Sequence, residues 1–144
     1  VAGIPPLTRL QQLSEFRIVS SSQWDTDWQL LKTLPHAELL EANHWKTMVR
    51  WVNHGRADLL LAPPLQHDRQ HLTVDAIRLA PVPGGMLCLP GSRHFAISQQ
   101  WPEAEKLRQA LDRGLSILEK EGRLQQAYQQ AGLMMKTPTL NACD

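Results

Sequence analysis

The pattern of apolar and polar positions between residues 45 and 61 predicts an α-helix followed at once by a buried β-strand. Apolar side chains recur at the spacing of one helical face, at Trp45, Met48, Val49 and Val52. Gly55 stands where a helix commonly ends in a left-handed residue, and we expect Asn43 to cap the helix start. The unbroken apolar run 59–61 suits a strand that is covered on both faces, as in a parallel sheet.

The preceding segment predicts the same alternation. Residues 16–20 are short and partly β-branched, which favours a first strand. Thr26 and Gln29 have the spacing of a capping box, which would begin a helix that Pro35 ends. Residues 36–42 are expected to form a second strand.

Further along the chain, apolar segments alternate with turn residues before a long helical stripe. Strands are expected at 76–79, 86–89 and 94–98. Pro102 fits the first position of a helix whose apolar stripe ends at Gly122, and a shorter helix is expected over 124–131. This order of elements predicts a three-layer α/β domain.

Composition limits the classes of partner. The 144 residues suit one domain, and 15 basic against 14 acidic residues give a formal charge of +1 with no long block of either sign. Nothing therefore favours nucleic acid or an anionic membrane, and a small or neutral partner is expected. No apolar stretch approaches the roughly 20 residues of a membrane helix, so a membrane-embedded protein is not expected. Residues 1–6 lack signal-peptide character, so the signal of an exported parent would be removed or lie on a part not present.

Candidate chemistry is sparse. Cys88 and Cys143 are most simply two unpaired thiols; a bridge between them would tie the tail to the sheet and indicate an oxidising compartment. His67 and His71 have the spacing of two zinc ligands on a helix, but the Pro-Pro pair before them favours a solvated loop. No nucleophile lies in a catalytic signature. We therefore expect no metal, no cofactor and no enzymatic activity.

Four segments together resemble the second lobe of the type 2 periplasmic solute-binding proteins that serve amino-acid ABC transporters. Residues 10–24 resemble the leading loop, first strand and Gly/Ser/Thr turn of that lobe, and His54-Gly-Arg-Ala-Asp58 resembles its helix end and next strand. Residues 94–99 resemble its late strand, and residues 111–132 resemble its closing helices. The resemblance covers residues 10–133, which leaves 1–9 as an extended lead-in and 134–144 as a C-terminal tail.

The resemblance implies a three-layer α/β/α lobe and a ligand site at the turn after the first strand. In the family, hydroxyl and backbone N–H groups of this turn bind a ligand carboxylate or another anion at a helix amino terminus. The matching residues are Ser20, Ser21 and Ser22. The alternative is that these serines only make the turn and cap the helix.

Neighbouring positions change that expectation. Trp24 would add an aromatic surface, and Asp25 and Asp27 would add negative charge that opposes an anion. Pro63 occupies the position at which the family's amino-acid binders have an acidic residue for the ligand ammonium group, which counts against an ordinary amino-acid receptor. Asp58 is expected to be structural, accepting bonds from backbone or arginine.

The resemblance implies a non-catalytic lobe that binds a small polar solute in the periplasm. Its partners would be the missing first lobe or a second copy of the chain and, in transport, a membrane permease. The alternative is an effector, sensor or dimerisation domain of the same fold in a regulatory protein, with no working pocket. A small hydrolase that uses a histidine or cysteine is the weakest interpretation.

Overall fold

The protein, described here by a computed structural model, is a mixed α/β chain that forms two compact units. The structure describes residues 4–63, 71–90, 94–131 and 139–142. The first unit comprises Val1–Gly91 and Lys136–Asp144, and the second comprises Ser92–Met135.

The first unit contains all the strands of the described residues. Its elements are a 3-10 helix (Leu10–Glu15), β1 (Arg17–Ser20), α1 (Asp25–Thr33), β2 (Glu38–Glu41), α2 (Trp45–Asn53), β3 (Leu59–Leu60), β4 (Leu72–Val74) and β5 (Ile77–Leu79). The second unit contains α3 (Ala104–Lys120) and α4 (Arg123–Gln130). Among the helices in these ranges, none has the length and hydropathy needed to cross a membrane.

Three parallel strands form the main sheet, in the order β2-β1-β3. Successive residues of each strand belong to different core clusters, because strand side chains alternate between the two faces. One cluster contains Ile18 together with Leu31 of α1, and the other contains Val19 together with Met48 of α2. The two helices therefore cover opposite faces of the sheet, which confirms the predicted strand–helix–strand alternation. The strand after α2 is present, but it is two residues long and half-buried instead of fully buried.

The helix starts differ from the predicted caps. α1 begins at Asp25 with Trp24 as its N-cap, and α2 begins after His44; neither N-cap side chain makes a capping hydrogen bond. The capping box at Thr26 and the cap at Asn43 were therefore wrong. Trp24 N–H donates to Ser21 O (3.0 Å), a tight turn that begins the helix two residues early.

The predicted starts and strands in the later part of the chain also need correction. α3 begins at Ala104, since Trp101, Pro102 and Glu103 form a turn in which Ala104 N–H donates to Trp101 O (3.0 Å). Residues 86–89 and 94–98 are not strands. Strand β4 was not predicted.

β4 and β5 form an antiparallel hairpin. Its turn residue Asp75 has φ 53°, a left-handed conformation that aspartate tolerates better than most residues. The Asp75 carboxylate lies 3.0 Å from Lys46 Nζ of α2, so the turn is paired with the helix that covers the sheet. The hairpin therefore lies beside α2, and it forms a sheet separate from the three parallel strands.

The amino ends of β1 and β3 are joined by a charged cluster. Asp58 accepts hydrogen bonds from the N–H of Arg17 and from its Nε and Nη2, at 2.8–2.9 Å. Arg17 Nη2 also donates to the carbonyl of Gly55 (2.9 Å), the left-handed residue after α2. The structural role expected of Asp58 is confirmed. These bonds to Arg17 hold the pKa of the Asp58 carboxyl below its usual range.

The C-terminal segment 139–142 is bound to the first unit. The Asn141 side chain accepts from Cys88 N–H and donates to Cys88 O, both at 2.8 Å, and Leu140 N–H donates to Met86 O at 2.8 Å. Leu140 also packs against the core cluster of Ile18. Cys88 is disulfide-bonded, so the interpretation of two unpaired thiols is wrong. Cys143, the only other cysteine of the sequence, lies outside the described residues.

We predict that Asp58→Asn lowers the melting temperature by roughly 4–8 °C, the effect of losing about one net hydrogen bond to a charged group in a domain of this size. Differential scanning calorimetry measures this change. The control Asp112→Asn breaks an exposed pair with Arg108 on α3 and should change the melting temperature by about 1–2 °C at most. Equal effects of the two variants would contradict the structural role of Asp58.

The Asp58 carboxylate should also make the stability of the protein depend on pH. Its folded-state pKa is depressed, so its contribution is complete above the unfolded value of about 3.9 and is lost as pH falls through the folded value. We expect the melting temperature of the unmodified chain to fall more steeply below about pH 4 than that of Asp58→Asn. Parallel curves for the two proteins would show that Asp58 does not titrate with folding.

The disulfide of Cys88 and the hydrogen bonds of Asn141 should each stabilise the first unit. Reduction of the disulfide should lower the free energy of unfolding by about 2–4 kcal/mol. Asn141→Ala should destabilise the oxidised protein by about 1–3 kcal/mol, because Cys88 N–H and O lose their partner. Chemical denaturation with and without reductant measures both effects. Asn53→Ala, at an exposed position of α2, is the matched control. An equal loss of unfolding free energy in that variant would contradict a stabilising role of the Asn141–Cys88 hydrogen bonds.

Candidate functional site

The candidate site lies at the carboxyl edge of the parallel sheet. Ser20 ends β1 and is in register with Glu41, which ends β2, while Leu60 ends β3 on the other side of β1. In open α/β sheets, ligands bind outside the carboxyl ends of the strands, where connections leave in opposite directions. Pro63 lies at this same edge, exposed and three residues beyond β3.

Ser20 is the unusual residue of this edge. It is 0% exposed, and within the described part of the chain its Oγ has no hydrogen-bond partner. Its backbone carbonyl is satisfied, accepting from Ala42 N–H at 2.9 Å. An unpaired buried hydroxyl costs about 1–3 kcal/mol, so such groups are few in native proteins and call for an explanation.

The other two serines of the turn already have partners. Ser21 is 1% exposed, and its Oγ accepts a hydrogen bond from Gln23 N–H at 3.2 Å. Ser22 is exposed, and its hydroxyl donates to the Glu41 carboxylate. Ser21 thus serves the turn, Ser22 connects the loops after β1 and β2, and only Ser20 keeps an unused polar group.

Two tryptophans form an aromatic surface at the edge. The ring centroids of Trp24 and Trp45 are 5.9 Å apart with an interplanar angle of 41°, within the range of favourable aromatic pairs. Both are partly buried against the core cluster of Val19 and Met48. Because each ring is only partly buried, the pair retains surface that a ligand can contact.

The charge of the edge is negative. Glu41 ends β2, and Asp25 and Asp27 lie in the first turn of α1. Lys46, in the first turn of α2, is paired with Asp75. The described residues of the loops after β1, β2 and β3 include no lysine or arginine.

Sequence reasoning missed Glu41 and Trp45 as site residues. Trp45 fits the apolar face of α2, and Glu41 lies in a segment with weak strand character. The signal that identifies them is topological: residues that directly follow parallel strands meet at one edge of the sheet. The sequence placed the serine turn and Trp24 there, and the register of β1 with β2 adds Glu41.

Of the histidine pair considered as a metal site, His67 lies outside the described residues. His71 Nδ1 is 3.2 Å from Arg78 Nη2 across the hairpin. Within the described ranges, no group of three potential metal ligands comes together.

Comparison with known proteins gives no match: no family model, no curated protein and no solved structure matches the chain. The likeness to the second lobe of type 2 solute-binding proteins therefore stays a prediction from the sequence segments.

Proposed function

We propose that the chain is a non-catalytic binding lobe that holds a small polar solute at the carboxyl edge of its sheet, as a lobe of a type 2 periplasmic solute-binding protein would. The observation that carries this proposal is the buried, unpaired hydroxyl of Ser20 at the end of the central strand. A bound solute would supply the missing hydrogen bond and recover the free energy that the unpaired group costs.

Other residues at the carboxyl edge support a binding role. The Trp24 and Trp45 rings offer apolar contact, and Glu41 offers a carboxylate beside the turn. Such a combination of aromatic surface and a few placed polar groups is typical of small-molecule sites. Pro63 would border the site from the β3 side.

A single lobe encloses a ligand from one side, so the proposed mechanism is closure of a second lobe, or of a second copy of the chain, over the edge. In transport, the closed form would then be recognised by a membrane permease. The disulfide of Cys88 supports export to an oxidising compartment such as the periplasm, because structural disulfides persist there and are rare in the cytosol.

One observation favours the alternative, a dimerisation or effector domain. The second unit exposes large apolar side chains: Phe95 (69%), Trp101 (61%), Ile117 (55%), Tyr128 (44%) and Leu107 (42%). Exposed apolar surface of this kind is typical of association sites when it is contiguous.

The binding proposal predicts that Ser20→Ala separates stability from ligand response. We expect this variant to melt at the same temperature as the unmodified chain or a few degrees higher, because removing an unpaired buried hydroxyl relieves its desolvation cost. The thermal shift given by the best solute of a panel of amino acids, polyamines, organic acids and sugars should fall at least about threefold in this variant.

Ser21→Ala is the matched control for that experiment. Its hydroxyl is equally buried but has a partner in Gln23 N–H, so we expect destabilisation of about 1 kcal/mol with the ligand response retained. A Ser20→Ala protein that is destabilised and still responds fully to the solute would contradict the role of Ser20. Absence of any shift across the panel would contradict the binding proposal.

The alternative makes its own prediction. A dimer formed by the second unit should dissociate when Ile117 is replaced by Lys, because a buried unpaired ammonium is costly at an interface. Light scattering before and after the substitution measures this. The control is Ser116→Lys on the same helix, which should leave the mass unchanged if the apolar surface is the interface. A monomeric unmodified chain would contradict dimerisation as the function of the second unit.

A further inference from the structure

We propose that the C-terminal segment 139–142 is a redox-controlled strap. In this proposal a disulfide between Cys88 and Cys143 holds the strap on the first unit, and reduction of that bond releases the strap while the parallel sheet stays folded. The inference does not depend on the ligand site at the carboxyl edge. It assigns a conformational role to the two cysteines, which that site does not use.

The partner of Cys88 in the disulfide follows from the sequence. Cys88 is disulfide-bonded, and the 144 residues contain two cysteines. Within one chain the partner is therefore Cys143, two residues beyond Asn141. The Asn141 side chain is itself hydrogen-bonded to the backbone of Cys88 through both its oxygen and its nitrogen, at 2.8 Å. A bond between the two cysteines thus ties the chain just after the residue that contacts Cys88.

The strap covers both polar and apolar groups of the first unit. The Asn141 side chain is the partner of the N–H and the O of Cys88. The O of Met86 accepts from Leu140 N–H at 2.8 Å. Leu140 is half-buried and packs against the core cluster of Ile18. Release of the strap therefore removes the partners of three backbone groups and exposes the apolar surface beside them.

The noncovalent contacts of the strap are opposed by the entropy of loop closure. Cys88 and Asn141 are 53 positions apart, and closing a flexible loop of that length lowers the population of the closed form roughly a thousandfold. Each of the three hydrogen bonds raises that population about fivefold, and a half-buried leucine raises it by about as much. The two effects are of the same order. Because the disulfide removes the closure cost, we expect it to decide whether the strap is bound.

The reductant is a dithiol. One thiolate of the dithiol attacks a sulfur of the protein disulfide and displaces the other cysteine as a thiolate, which takes up a proton. The second thiolate then closes the disulfide of the dithiol and releases the first cysteine in the same way. Two electrons pass from the dithiol to the protein. Cys88 is only half-buried, so a dithiol can approach this bond.

Hydrogen–deuterium exchange at residue resolution, on the full chain with and without dithiothreitol, tests the proposal. In the oxidised protein the amides of Cys88 and Leu140 should be protected, because both donate hydrogen bonds. After reduction, both amides should exchange within about threefold of the rate of an unfolded chain. The amides of β1 should remain at least about a hundredfold slower than that rate, because the sheet stays folded.

Two variants separate the disulfide from the hydrogen bonds. Cys143→Ser without reductant should exchange as the reduced protein does, and dithiothreitol should change nothing further in it. Asn141→Ala removes the acceptor of Cys88 N–H but keeps the disulfide. In its oxidised form the Leu140 amide should therefore stay protected, and reduction should abolish that protection.

Four results would overturn the proposal. If Cys88 and Leu140 amides exchange as slowly after reduction as before, the hydrogen bonds hold the segment unaided. If β1 loses its protection to the same extent, the disulfide supports the whole unit and not a strap. If oxidised Asn141→Ala exchanges at Leu140 as fast as the reduced protein, the disulfide does not hold the segment. A covalent dimer on a non-reducing gel would show that Cys88 is bonded to a second copy of the chain.

Discussion

Burial of β1 on both faces is the constraint on which the rest of the first unit depends. Val19 is 0% and Ile18 is 3% exposed, and they belong to different core clusters. A strand buried in this way needs one helix on each face. That requirement places α1 and α2 on opposite faces, with β2 and β3 on either side of β1. The loops that follow the strands then meet at one edge, which is why the candidate site is there.

The two edges of the sheet differ in how their polar groups are satisfied. At the amino edge, Asp58 accepts three hydrogen bonds from Arg17, and the Arg17 guanidinium also reaches Gly55 O. At the carboxyl edge, the buried Ser20 hydroxyl has no partner within the described residues. Polar groups that are hydrogen-bonded at an edge add to the free energy of unfolding, whereas a buried polar group without a partner lowers it. Native proteins commonly accept such a cost where a ligand binds.

The segment 82–88 is held from two sides by parts of the chain distant in sequence. Leu7 N–H donates to Pro83 O at 2.8 Å, and Asn141 brackets the backbone of Cys88. Gly84 is required by this arrangement, because it has φ +73° and a Cβ there would lie 2.0 Å from Leu7 O. Leu7 and the described segment 139–142 are therefore part of the folded first unit, although Pro5, Pro6 and the tail composition indicate only irregular chain.

The sequence by itself determined the elements whose signal is local. The helical face of α2, the left-handed Gly55 after it and the short strand β1 follow from spacing and residue type, and the structure has all three. The structural role of Asp58 was also predictable, from its likeness to a known motif. Helix caps were not, because a turn at Ser21 begins α1 early and replaces the capping that Thr26 and Gln29 suggest.

Tertiary structure alone decided what is brought together across long separations in sequence. Glu41 lies beside Ser20 and Ser22 only because β1 and β2 pair in parallel register, and Trp45 meets Trp24 only because α2 starts above the same edge. The two hydrogen bonds between the Asn141 side chain and the Cys88 backbone join residues 53 positions apart. Such contacts carry no periodic signal in the sequence, since they are set by the packing of whole elements and not by the conformational preferences of neighbouring residues.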